Sequence, residues 1–250
     1  MLFRSGLAIA DRMDSQSRGM TVAIRNANDG ISLTQTAEGA LTNIGNMLQR
    51  MRELTVQAGN STYTSGDVAA LNKEMAQLGA EIGRIASGTQ FNGKAILGAD
   101  ASAGFSFQVG ANVSAGVTGD QNIAINASEI QAVSDISALV GSTSAGGLSA
   151  AAGTTATNTN SAMLSAIDTA LKGINEKRSS LGAVQSRFDN TIANLQTSIE
   201  NQSAARGRII DADFAAESAN LSRAQILQQA STAMLAQANQ VPQGVMKLLN

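Results

Sequence analysis

From Val68 to Ile85 the chain reads Val-Ala-Ala-Leu-Asn-Lys-Glu-Met-Ala-Gln-Leu-Gly-Ala-Glu-Ile-Gly-Arg-Ile. The large apolar members, Val68, Leu71, Met75, Leu78, Ile82 and Ile85, follow alternating steps of three and four without an exception. On an α-helix that spacing gathers them into one stripe, and the stripe requires partner helices. Leu164, Ile167, Leu171, Ile174, Leu181, Phe188, Ile192, Leu195 and Ile199 keep the same register, interrupted only by Arg178 and Gln185. A third run, Thr34, Ala37, Leu41, Ile44, Leu48, Met51, Thr55 and Ala58, reads as the weakest, because its small members bury less. At ~1.5 Å per residue, the stretch 27–58 would be roughly 48 Å long and 164–199 roughly 54 Å. The fold expected is mainly α: a long antiparallel helical rod or coiled-coil bundle, with a small β-hairpin region.

Composition narrows function. The 250 residues include no His, Cys or Trp, one Pro, one Tyr and six Phe. Without His or Cys there is no thiol nucleophile, no Ser-His dyad, no zinc site of the usual ligands and no disulfide. Charged residues make up 14% and aromatic ones 3%, against 43% apolar, so the apolar share is mostly Ala, Leu, Ile, Val and Met. That set forms helices and offers few rings to line a small-molecule pocket. A net charge of −2 argues against nucleic-acid binding, which needs a cationic surface. Neither a phosphate-cradling Walker motif nor a Gly-x-Gly-x-x-Gly element opening a helix occurs. No enzyme and no cofactor is expected. The N-terminus lacks the apolar core of a secretory signal, and no run of 18 apolar residues exists to span a membrane.

Between the stripes the pattern changes. Asn92-Gly93 marks a turn. Phe105, Phe107 and Val109 alternate with polar or small neighbours, as do Ile123 and Ile125, which predicts a strand pair. Residues 141–162 are almost entirely Gly, Ser, Thr, Ala and Asn, which predicts a loop or a reduced outer element. Asp211 is a candidate N-cap for a last helix, and Pro242 is expected to limit how far that helix continues. Its residues 224–246 carry no charge, so it reads as a helix that expects partners. Asp211, Asp213 and Glu217 are the one tight acidic cluster; a divalent metal is the sharp reading, and acids favourable to the helix dipole the preferred one. In Gln49-Arg50-Met51-Arg52-Glu53-Leu54, Arg50 and Glu53 form an i, i+3 pair on an outward face, read as a solvated surface. Met51 and Met75, on the heptad stripes, read as core, and the sequon Asn112-Val113-Ser114 as chance.

Several blocks resemble bacterial flagellin. They are Arg25-Asn26-Ala27-Asn28-Asp29-Gly30-Ile31-Ser32 with its continuation to Leu41, residues 48–54, Gly88-Thr89-Gln90-Phe91-Asn92-Gly93 and Phe107-Gln108-Val109-Gly110-Ala111-Asn112. Arg187-Phe188-Asp189-Asn190, residues 205–217 and Gln237-Ala238-Asn239-Gln240-Val241-Pro242-Gln243 complete the set, which spans roughly 8–112 and 163–250 in order. The resemblance implies a subunit exported unfolded through the flagellar type III apparatus that polymerises into the extracellular filament. It implies an inner rod domain built from 6–126, with the hairpin, and from 162–205. It also implies a reduced outer segment at 127–161 and a filament-core helix at 206–250. That helix would pack through Leu221, Ile226, Leu227, Met234, Leu235 and Val241.

By the same resemblance, the partners are other copies of the chain, an export chaperone on the C-terminal region, hook-associated and cap proteins, and Toll-like receptor 5. The positions matching the receptor-binding surface are Gln49, Arg50, Leu54 and Glu74. The family's first core helix has no counterpart before Gly6, which predicts weak or absent polymerisation and a disordered or loosely packed 211–250 in the isolated chain. The rival readings are a hook–filament junction protein and a flagellin-like surface binding module that does not polymerise.

Overall fold

The computed structural model describes residues 2–112, 121–130, 154–210 and 214–248. Helix α1 runs Leu2–Ala58 and α2 runs Ser65–Gly88. Two short antiparallel strands, β1 (Gln90–Phe91) and β2 (Lys94–Ala95), follow, then a 3-10 turn over Ala99–Ala103. Strands β3 (Phe105–Gln108) and β4 (Asn122–Ile125) pair antiparallel, and α3 is one turn, Ala127–Ile130. Helix α4 runs Thr154–Ile210 and α5 runs Phe214–Leu248. The chain forms two compact units: residues 15–201, and residues 1–14 with 202–250.

In the unit 15–201 the stripe that looked weakest is the most completely buried. Thr34, Ala37, Leu41, Ile44, Leu48, Met51, Thr55 and Ala58 are all buried, whereas α2 buries Val68, Met75 and Ile82 and leaves Leu71, Leu78 and Ile85 half-buried. Location in the bundle, rather than side-chain size, decides this. Helix α1 exchanges ion pairs with α2 through Arg50 and Glu74, and with α4 through Arg52 and Asp168. It is therefore covered from two sides. Small side chains there let both neighbours approach, and the buried hydroxyls are satisfied within the helix: Thr34 donates to the Ile31 carbonyl and Thr55 to that of Met51, each at 2.8 Å.

Helices α1 and α4 run antiparallel, since Arg52 meets Asp168, Gly45 lies beside Ile174 and Gly30 beside Phe188. The two breaks in the α4 stripe both face Glu38 of α1. Gln185 donates to its carboxylate at 3.3 Å, and the Arg178 guanidinium stands 3.8 Å away. A half-buried polar cluster of this kind favours one register of the two helices over others.

The turn chemistry follows the sequence closely. Thr64 and Asp67 form a reciprocal capping box that opens α2. Asn92 (φ 49°) and Gly93 (φ 78°) turn β1 into β2. In the second pair Phe105 faces Ile125 and Phe107 faces Ile123. Phe107 then meets Phe188 of α4 edge-on, with centroids 5.6 Å apart and planes at 88°. That contact and the bond from Asn26 Nδ2 to the Gln108 carbonyl (2.9 Å) seat the strands on the helices.

Two expectations are corrected. Helix α4 begins at Thr154, inside the stretch read as a loop, because extending an existing helix costs far less than nucleating one. Helix α5 continues through Pro242 to Leu248. Proline removes one backbone donor there, and the carbonyl so freed belongs to Ala238, an exposed residue where water can take the bond.

Within the other unit, Gly6 of α1 packs against Ile209 of α4, and Asp14 stands 3.8 Å from Arg206. Every residue of α5 from 218 to 238 is exposed.

Candidate recognition face and assembly helix

The first candidate surface lies on the outer side of α1 and α2. Arg50 directs Nε and Nη2 onto Glu74 Oε1, each at 2.8 Å, and Nη1 onto Glu53 Oε2 at 3.1 Å. The hydrogen bonds that Arg50 donates to Glu74 and Glu53 raise the guanidinium's pKa above its ordinary value. Two residues on, Arg52 Nε donates to Asp168 Oδ1 at 2.8 Å, which raises its pKa likewise. The face thus carries two guanidinium groups already held by three carboxylates, all of them substantially exposed. Bidentate or shared geometry of this kind orients a charged side chain without removing it from water.

Gln49, Arg50 and Glu74 share this exposed face, and the i, i+3 pairing of Arg50 with Glu53 is present. Leu54 is placed differently: it is fully buried in the core, 0% exposed, because it falls on the inward side of α1 beside Met51 and Thr55. It supports the face from beneath. The Arg50–Glu74 and Arg52–Asp168 bridges were not read from the sequence, although a signal for them exists. Arg50 and Glu74 each precede a buried stripe methionine, Met51 and Met75, while Arg52 and Asp168 each follow a buried stripe residue, Met51 and Ile167. Residues flanking a stripe are those that meet across a helix pair.

The second candidate surface is α5. Leu221, Ile226, Leu227, Met234 and Leu235 are 57–68% exposed. The side chain of Val241 lies outside the described residues, as do Asp211, Asp213 and the Glu217 side chain. Among the described residues no group of three metal-ligating side chains is present, and no helix is long and apolar enough to cross a membrane. An open cleft of about 710 Å³ between β3–β4 and α4 is lined by Asn122, Asn190, Asn194 and the single charge of Arg187. It presents no nucleophile–base pair.

Comparison with known proteins identifies the family. The bacterial flagellin N-terminal helical region matches residues 4–102, and the bacterial flagellin C-terminal helical region matches 164–249. A flagellin from Halalkalibacterium halodurans is 46% identical over 98% of this chain and 84% of its own length. One from Bacillus subtilis is 40% identical over 98% and 86%. Among solved structures, Bacillus cereus flagellin superposes with a TM-score of 0.53 at 31% identity, covering 73% of this chain and 94% of that one. A protein assigned as flagellar hook-associated, from Vibrio parahaemolyticus, shares the fold with a TM-score of 0.62 at 13% identity, over 80% and 95%. Both helical ends are matched in order and relatives align over nearly the whole chain: it belongs to the bacterial flagellin family.

Proposed function

We propose, against the weak or absent polymerisation expected above, that this flagellin assembles through the exposed apolar side chains of α5 and is recognised through the Arg50 face of its inner rod. Membership of the family makes the chain a structural subunit of the extracellular flagellar filament. The finer assignments are ours. One observation carries the assembly reading: five large apolar side chains of α5 stand 57–68% exposed in the single chain. Leaving them in water is unfavourable, and packing against further copies removes that cost. The same helix suits an export chaperone, which would cover the face before secretion. Cap and hook-associated proteins would use it at the filament ends. For the inner rod, Gln49, Arg50 and Glu74 offer an exposed, charge-ordered patch suited to Toll-like receptor 5, with Leu54 holding α1 in place below it.

The assembly reading is tested by placing a charge on α5. The double variant Leu227→Asp, Leu235→Asp alters only exposed positions, so helicity by circular dichroism should be retained. Elongation of sheared filament seeds should be abolished. Normal elongation by the double variant would refute the role of this face.

A further inference from the structure

Nine methionines hold all the sulfur of this chain, which has no Cys. Met20, Met51, Met75 and Met163 are buried, and Met13 and Met47 are half-buried. Among the described methionines Met234 differs: it is 68% exposed. It stands on α5, whose residues 218–238 are all exposed, and its own helical neighbours add little cover. One turn before it stand Ala230 and Ser231, and one turn after it Gln237 and Ala238, so three of the four adjacent side chains are small. They leave the thioether uncovered by its own helix. Met234 also follows Leu227 by one heptad, on the same side of α5 and within the uncharged stretch 224–246.

We propose that Met234 is the oxidation site of the unassembled subunit, where a peroxide converts the thioether to the sulfoxide and the modified chain joins a filament less readily. The inference rests on the assembly reading above. The sulfur lone pair attacks one oxygen of hydrogen peroxide and an S–O bond forms as the O–O bond breaks. The departing hydroxide takes the remaining proton and leaves as water. Sulfur loses two electrons and the peroxide gains them. A soft apolar group thereby becomes a strongly polar one, which must find a hydrogen-bond donor or be desolvated unpaired wherever α5 packs. A subunit already packed in a filament has this sulfur covered, so the reaction selects free chains.

The test uses the full chain, hydrogen peroxide at a dose that oxidises about one methionine per molecule, and seeds of untreated filament. Peptide mass spectrometry should find the Met234 sulfoxide ahead of those of the half-buried Met13 and Met47. Elongation of the treated chain should fall about ten-fold, the order expected for burying one imperfectly paired polar group. Met234→Leu should elongate at the same rate with and without the peroxide treatment, and Met234→Gln, which is polar and cannot be oxidised, should elongate slowly without any. Another methionine oxidised first, or a Met234 sulfoxide that elongates like untreated chain, overturns the proposal. Untreated wild-type chain that fails to extend seeds contradicts the assembly reading instead, and the order of oxidation still decides the site.

Discussion

At Gly30 a single added methyl carbon would sit 2.5 Å from Phe188 Cζ and 2.9 Å from two further ring carbons. The ring cannot swing away freely, since its other side meets Phe107 edge-on. Gly30→Ala is therefore expected to destabilise the protein by about 1–3 kcal/mol through overpacking. Gly39, nine residues along the same helix, has nothing within 4 Å of the equivalent position. Gly39→Ala should instead stabilise by about 0.5–1 kcal/mol, because it only removes the entropy of a helical glycine. Denaturant melts of the two variants would show opposite signs; equal signs would mean that the Gly30–Phe188 contact does not limit packing. At Arg50 the expectation is different in kind. The side chain is half exposed, so Arg50→Ala should leave the melting temperature nearly unchanged while a Toll-like receptor 5 reporter loses most of its response. A full response from the folded variant would remove Arg50 from the recognition face.

Among the elements, α2 shows how a helix start reports on pH. The Thr64 backbone and side chain both donate to Asp67, which holds that carboxyl below its ordinary pKa. A carboxyl with a depressed folded pKa contributes stability above its unfolded pKa and loses it as pH falls through the folded one. Asp67→Asn should accordingly melt earlier than wild type at pH 7, and the gap should close below the usual carboxylate range. A gap that stays constant down to pH 2 would mean that the charge plays no part in the cap. The elements also differ in how far they could be read. The stripes of α2 and α4, the Asn92-Gly93 turn and the alternation of Phe105, Phe107, Ile123 and Ile125 are local patterns, and each appears as the spacing requires. The primacy of α1 was hidden. Ala37, Ala58, Thr34 and Thr55 look unpromising until two neighbouring helices lie against them, and only tertiary structure supplies those neighbours. Glu38 was hidden for the same reason: its partners, Arg178 and Gln185, are 140 or more residues away and look like flaws in a stripe. Proline in α5 misled by the opposite route, since a local rule was outweighed where the freed carbonyl is exposed.

Over the whole molecule, a composition without His or Cys acquires a positive meaning. A chain without Cys has no disulfides to hinder passage through an export channel in an unfolded state. A polymer of closely packed helices favours Ala, Leu, Ile and Gln over bulky rings. The proposed recognition face was legible in part: Arg50 and Glu53 pair by spacing, whereas Leu54 belongs to the core for reasons that only the bundle makes visible. The assembly helix was legible as an uncharged stretch, and the exposure of its large side chains adds the reason it should associate. The central claim, that this flagellin is the bulk subunit of a filament, is tested most directly by quantitative mass spectrometry of filaments sheared from cells that express it. The account predicts this chain as a major polypeptide along the filament length. Its absence from sheared filaments, or its presence only in the few copies expected of a junction protein, would contradict it.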